Sequence, residues 1–125
     1  MTIEKSYLAL LQSDNEILKL TGPIYYAVAP QSLKEPFAVL SSVSPGATRE
    51  AKVFRPFFNL NLYSKSQYTC TESAEDLCNY IRFKSIVYDD FLFTNIRAER
   101  TQVLIQEDGT FCCPINIRFY AQRRS

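Results

Sequence analysis

At 125 residues the chain is the size of one domain with a single core, and 14 Lys and Arg against 13 Asp and Glu leave a formal net charge of +1, so no global field gathers phosphates or anionic lipid. Histidine is absent, which removes the commonest proton shuttle and the commonest metal ligand. The four cysteines, Cys70, Cys78, Cys112 and Cys113, include no C-x-x-C pair and read as small reduced hydrophobes. No apolar run approaches the roughly 20 residues of a bilayer span, and Glu4 and Lys5 stand where a signal peptide would be apolar. A soluble protein made in the cytoplasm, with no membrane partner, is the expectation.

Residues 3 to 20 read as one helix with a break, or two short ones. Tyr7, Leu8, Leu10 and Leu11 supply the apolar face of the first turns, and Ser13, Asp14 and Asn15 interrupt it. Ser13 with Glu16 has capping-box spacing, so a new helical turn is expected there, carrying Ile17, Leu18 and Leu20 and stopping at Gly22-Pro23. Ile24 to Val28 is aromatic and β-branched, suited to a short strand ended by Pro30. After a polar loop to Pro36, Phe37 to Val43 alternates as a second strand, with Phe37, Val39 and Val43 on one face. Ser44-Pro45-Gly46 forces a turn. Ala47 to Pro56 then carries Arg49, Glu50, Lys52 and Arg55 with only Val53 and Phe54 as apolar anchors, so it is expected to project as a mobile loop or hairpin tip.

The stretch from Arg55 to Lys84 organises the rest. Phe58, Leu60 and Leu62 alternate with Asn59, Asn61 and Tyr63, the period of a strand with one buried face. Ala74, Leu77, Cys78 and Ile81 then recur at three- and four-residue spacing, one face of an amphipathic helix. Thr69 and Glu72 have capping-box spacing, which puts the expected start of that helix near Thr69. Phe91-Leu92-Phe93 and Val103-Leu104-Ile105 read as strand pieces separated by a charged stretch, Arg97 to Arg100. Asp108-Gly109 signals a hairpin into a last strand from Thr110 to Ala121, where Ile115, Ile117 and Phe119 alternate with Asn116, Arg118 and Tyr120. The tail from Gln122 to Ser125 is expected to fray.

A strand running into a helix with a matching apolar face implies a helix layered on a sheet. The expected fold is α+β: one domain over residues 1–125, with a single-layer, mostly antiparallel sheet packed against a central amphipathic helix and an N-terminal helical segment. Its expected core is Phe58, Leu60 and Leu62 with Leu77, Cys78 and Ile81 from the helix and Ile115, Ile117 and Phe119 from the last strand.

Nothing in the chain assembles a catalytic, cofactor or metal site. Gly22, Gly46 and Gly109 each mark a turn and form no phosphate loop. Asp89-Asp90 and Glu107-Asp108 read as solvated turns, and Arg123-Arg124 as a solvated terminus. The surplus is aromatic: 14% of the residues, several of them, including Phe57, Tyr26, Tyr63 and Tyr120, on the polar faces of their strands. A second layer of the same chain or another subunit must bury them.

The order of elements resembles the tail-completion or tail-terminator proteins of long-tailed bacteriophages. Four stretches carry the likeness: LLQSDNEILKLTG in the opening helix, IYYAVAPQSLKEPFAVLSSV, FNLNLYSKS leading into the central helix, and the DG turn with CPINIRFYAQ. The segment from Ile86 to Arg100 matches the pattern less well. The resemblance implies a structural virion protein that forms a ring, commonly of six copies, capping the head-proximal end of the tail tube. Such a ring ends tail polymerisation and presents the surface for head joining. Its implied partners are its own copies, the major tail tube protein and a head-completion or connector protein, and DNA passes through the lumen without sequence-specific binding. Arg49, Glu50, Lys52 and Arg55, with Tyr63 and Tyr120, are the expected subunit or tube contacts. A head-completion or tail-tube protein of the same neck region, or a small monomeric protein-binding module, stands as the alternative.

Overall fold

The computed structural model describes residues 2–29, 34, 36–44, 46, 53–82 and 84–124. Its first two helices, α1 (Ile3–Gln12) and α2 (Asn15–Thr21), meet at a break that Asp14, rather than Ser13, caps. Asp14 Oδ1 accepts from the N–H groups of Glu16 and Ile17. Ser13 ends α1 instead, its hydroxyl donating to the Leu10 carbonyl at 2.8 Å. Gly22 closes α2 at φ +69°, and a Cβ there would stand 2.2 Å from the Pro36 carbonyl oxygen, so only glycine fits.

The strands are β1 (Ile24–Tyr26), β2 (Phe37–Ser44), β3 (Val53–Phe54), β4 (Phe57–Ser64), β5 (Ile86–Tyr88), β6 (Phe91–Arg100), β7 (Leu104–Ile105) and β8 (Phe111–Arg123). They form one sheet in the order β1-β2-β4-β8-β6-β5, with β3 and β7 also on β8. Among the described residues only the β1–β2 pair is parallel. The first strand is shorter than its composition suggests because Ala27 turns to φ +65° after Tyr26.

β8 is the spine. β3 and β4 pair with it in one register, Val53 opposite Gln122 and Phe57 opposite Arg118, interrupted at Arg55-Pro56, where proline has no N–H to give the ladder. On its other side β6 runs unbroken through Arg97 to Arg100, which therefore form strand and not a connector. A bulge after Thr94, with Asn95 at φ +53°, resets the register there. Gln122 and Arg123 are likewise strand and not frayed tail: they pair with Leu92 and Phe91, and the Arg124 N–H donates to the Asp90 carbonyl at 2.6 Å.

The central helix, α3 (Gln67–Ile81), starts two residues before Thr69. Ser66 is its cap, the hydroxyl accepting from the Thr69 N–H at 3.2 Å. Its buried residues Cys70, Ala74, Leu77, Cys78 and Ile81 lie on one sheet face, against Phe58, Leu60, Leu62, Ile115, Ile117 and Phe119. Every expected core residue is buried. Beside α3, α1 inserts Tyr7, which stacks on Phe119 at 4.5 Å and on Phe58 at 5.3 Å and meets Phe93 edge-on. In β2 the core face is Ala38 and Leu40, so Phe37 and Val39 belong to the opposite face.

Candidate assembly surface

The helices α1, α2 and α3 pack on one face of the sheet, so side chains that alternate away from the core form a second, outer face. Phe57, Asn59, Asn61 and Tyr63 of β4 lie there, beside Arg118 and Tyr120 of β8. Two aromatic contacts organise its ends. At one end Phe37 and Tyr63, paired across β2 and β4, stack at 4.8 Å and 16°. Burial and the neighbouring Cys112 push the Tyr63 hydroxyl above its usual pKa, so it stays a neutral hydrogen-bonding group. At the other end the Arg118 guanidinium lies 4.3 Å from the Phe57 ring and that of Arg55 lies 5.2 Å from Tyr120. Each is in cation–π range, with its N–H edge left for a further partner.

Of the residues singled out from the sequence, Arg55 and Tyr120 therefore meet, and Tyr63 stands apart. Along β8 its opposite residue Cys112 is about 27 Å from Tyr120, at about 3.4 Å per residue. Arg49, Glu50 and Lys52 lie outside the described residues. On either side of them, the Arg55 N–H donates to the Gly46 carbonyl at 3.1 Å. Gly46 sits at φ +64°, and a Cβ there would be 2.0 Å from the Arg55 carbonyl oxygen.

Sequence reading missed Arg97 and Arg118. They face each other across β6 and β8, and with Arg55, Pro56, Asn95 and Tyr120 they line a groove of about 190 Å³. The sequence carries a signal for Arg97: Ile96 and Ala98 are buried while Arg97 and Glu99 are exposed, a period of two inside a charged stretch. The ion pairs between described residues are Lys19–Glu16 and Arg100–Glu75, so neither Arg97, Arg118 nor Arg55 has a carboxylate partner among them. Nearby on the same face, Asn59 Oδ1 is buried with no hydrogen-bond partner.

The thiols are arranged for packing. Cys70 donates to the Leu62 carbonyl at 3.3 Å, and burial pushes the Cys78 thiol up to about 11, which keeps it unreactive. Among the described residues no three His, Cys, Asp or Glu side chains gather to hold a metal, and no helix is long and apolar enough to cross a membrane.

No protein-family model and no curated protein matches the chain. Solved structures do. A chain in a structure of the virion of a native gene transfer agent particle superposes with a TM-score of 0.70 at 14% identity, over 97% of this chain and 95% of that one. A second solved chain superposes at 0.60 and 13% identity, over 99% and 93%. At these identities the likeness is one of fold, and it runs from end to end of both partners: the chain has the α+β fold of a protein found in that particle.

Proposed function

We propose that the chain is a structural, non-enzymatic virion protein that caps the head-proximal end of a tail tube as a ring of copies, with six the expected number. On this reading it ends tail polymerisation and offers the surface on which the head docks. The observation that carries it is the end-to-end match to a chain of the gene transfer agent virion. It is supported by a sheet whose outer face is lined with aromatic and arginine side chains, with no second layer of helices among the described residues. The partners are further copies, the major tail tube protein and a head-completion or connector protein, and DNA slides through the lumen without being read. A chain of net charge +1 suits that passage, because a strongly basic lining would retain the phosphate backbone. Arg49, Glu50 and Lys52, between Gly46 and Arg55 in the chain, reach the tube end or the adjacent copy, with Arg55, Tyr63 and Tyr120 contributing from the sheet.

The test is removal of the gene from the particle that encodes it, with electron microscopy of the products. Tails of unregulated length beside unjoined heads are the expected outcome. Normal tails beside unjoined heads would make it a head-completion protein, and absence of tails a tube protein. Particles indistinguishable from the parent would sink the virion reading.

A further inference from the structure

We propose that the Arg97–Arg118 groove on the outer sheet face is a socket for the exposed acidic face of α3 in a second copy of this chain, so that copies join head to tail. The inference rests on the ring reading and names its contact. Arg97 and Arg118 are directly opposed across β6 and β8. Like charges so placed destabilise a sheet unless something neutralises them, and neither arginine is ion-paired with a described carboxylate. The stacking of Arg118 on Phe57 and of Arg55 on Tyr120 fixes two of these guanidinium groups against aromatic rings. Arginine held this way is pre-organised to take a carboxylate on its free N–H edge.

The matching patch is on the opposite side of the molecule. Glu72 and Asp76, both exposed, stand one turn apart on the face of α3 turned away from the core. Carboxylates in that relation repel each other as the arginines do. Glu75 is already taken by Arg100 at 2.7 Å, which leaves Glu72 and Asp76 without a cationic partner among the described residues. A further turn toward the start of α3 stands Tyr68, 73% exposed, an aromatic anchor of the kind that interfaces bury. The spacings agree: residues one turn apart on a helix rise about 6 Å, and opposed residues on neighbouring antiparallel strands are about 5 Å apart. Two like-charged pairs, each unfavourable alone, cancel when brought together. Because donor and acceptor patches lie on opposite sides of one chain, the contact is heterologous, the kind that closes into a ring when its rotation allows.

Sedimentation of the full chain up to millimolar concentration tests this with two variants, R97E/R118E and E72R/D76R, each checked for an unchanged thermal melt. The wild type should self-associate, and more weakly at high salt. Either variant alone should associate at least about a hundredfold more weakly. An equimolar mixture of the two should recover association, since charge-reversed patches on one meet charge-reversed patches on the other. A monomeric wild type, unchanged association in either variant, or a mixture that fails to recover overturns the contact. So does loss of binding to a short DNA duplex in R97E/R118E with self-association intact, which would make the groove a phosphate site. The virion reading fails by a different measurement, the particle phenotype of the gene's removal, so the two failures are told apart.

Discussion

The Tyr80 hydroxyl on α3 donates to Asp14 Oδ2 at 2.9 Å, and the other oxygen of the same carboxylate caps α2. One side chain thus starts a helix and pins it to the next, which is why the break at residues 13–15 has a defined geometry. Asp14→Ala should cost about 1–2 kcal/mol, the usual loss for a cap, read as a fall in the urea midpoint. Tyr80→Phe removes only the cross-helix bond and should cost less, about 0.5–1.5 kcal/mol. Equal losses in the two variants would mean that Asp14 serves Tyr80 and not the helix start.

The nine-residue core is tested at its centre. Leu60 and Leu77 are both fully buried between α3 and the sheet, and truncating either to alanine should cost about 2–5 kcal/mol. Melting within a degree or two of the parent would mean that the inward faces are wrongly assigned.

Much of this core was legible because it depends on local periods. Phe58, Leu60 and Leu62 announce a strand by alternation, and Leu77, Cys78 and Ile81 announce a helix by spacing, without reference to any distant residue. The missing parts depend on pairing. Arg97 to Arg100 looked like a connector because charge outweighs alternation in a short window, and only β8, lying alongside, makes them strand. Gln122 and Arg123 read as frayed because their partners Leu92 and Phe91 are 30 and 32 residues away in sequence. The socket was invisible for the same reason. Arg97 and Arg118 meet only after the bulge at Asn95 resets the register, and no local pattern encodes that reset.

Tyr7 gives a pH-dependent prediction. Burial raises its pKa in the folded chain, whereas in the unfolded chain it ionises near about 10. The folded state therefore holds the proton more tightly. The stability linked to it is fully present below about pH 10 and is lost as pH rises through the window toward the folded value. Between pH 9 and 11, under reducing conditions, the wild type should lose more stability than Tyr7→Phe, with a gap approaching about 1.4 kcal/mol per pH unit above 10. Parallel losses in the two would show that Tyr7 is accessible to base in the folded state.

The stretch from Gly46 to Arg55 separates a structural role from a docking role. Gly46 stands at a positive φ with the Arg55 backbone against it, so Gly46→Ala should destabilise the fold itself. Arg49→Glu with Lys52→Glu reverses two charges, and because the proposed function has them meet a partner instead of the core, the change in stability should stay within about 0.5 kcal/mol. On the proposed function, the charges of Arg49 and Lys52 set register and recognition at the tube end more than they set affinity. The double variant should then melt like the parent, yet give tails of unregulated length or heads that fail to join. Full complementation by the double variant would show these two charges to be idle, and the docking surface would then lie on the sheet, where Arg55 and Tyr120 already meet.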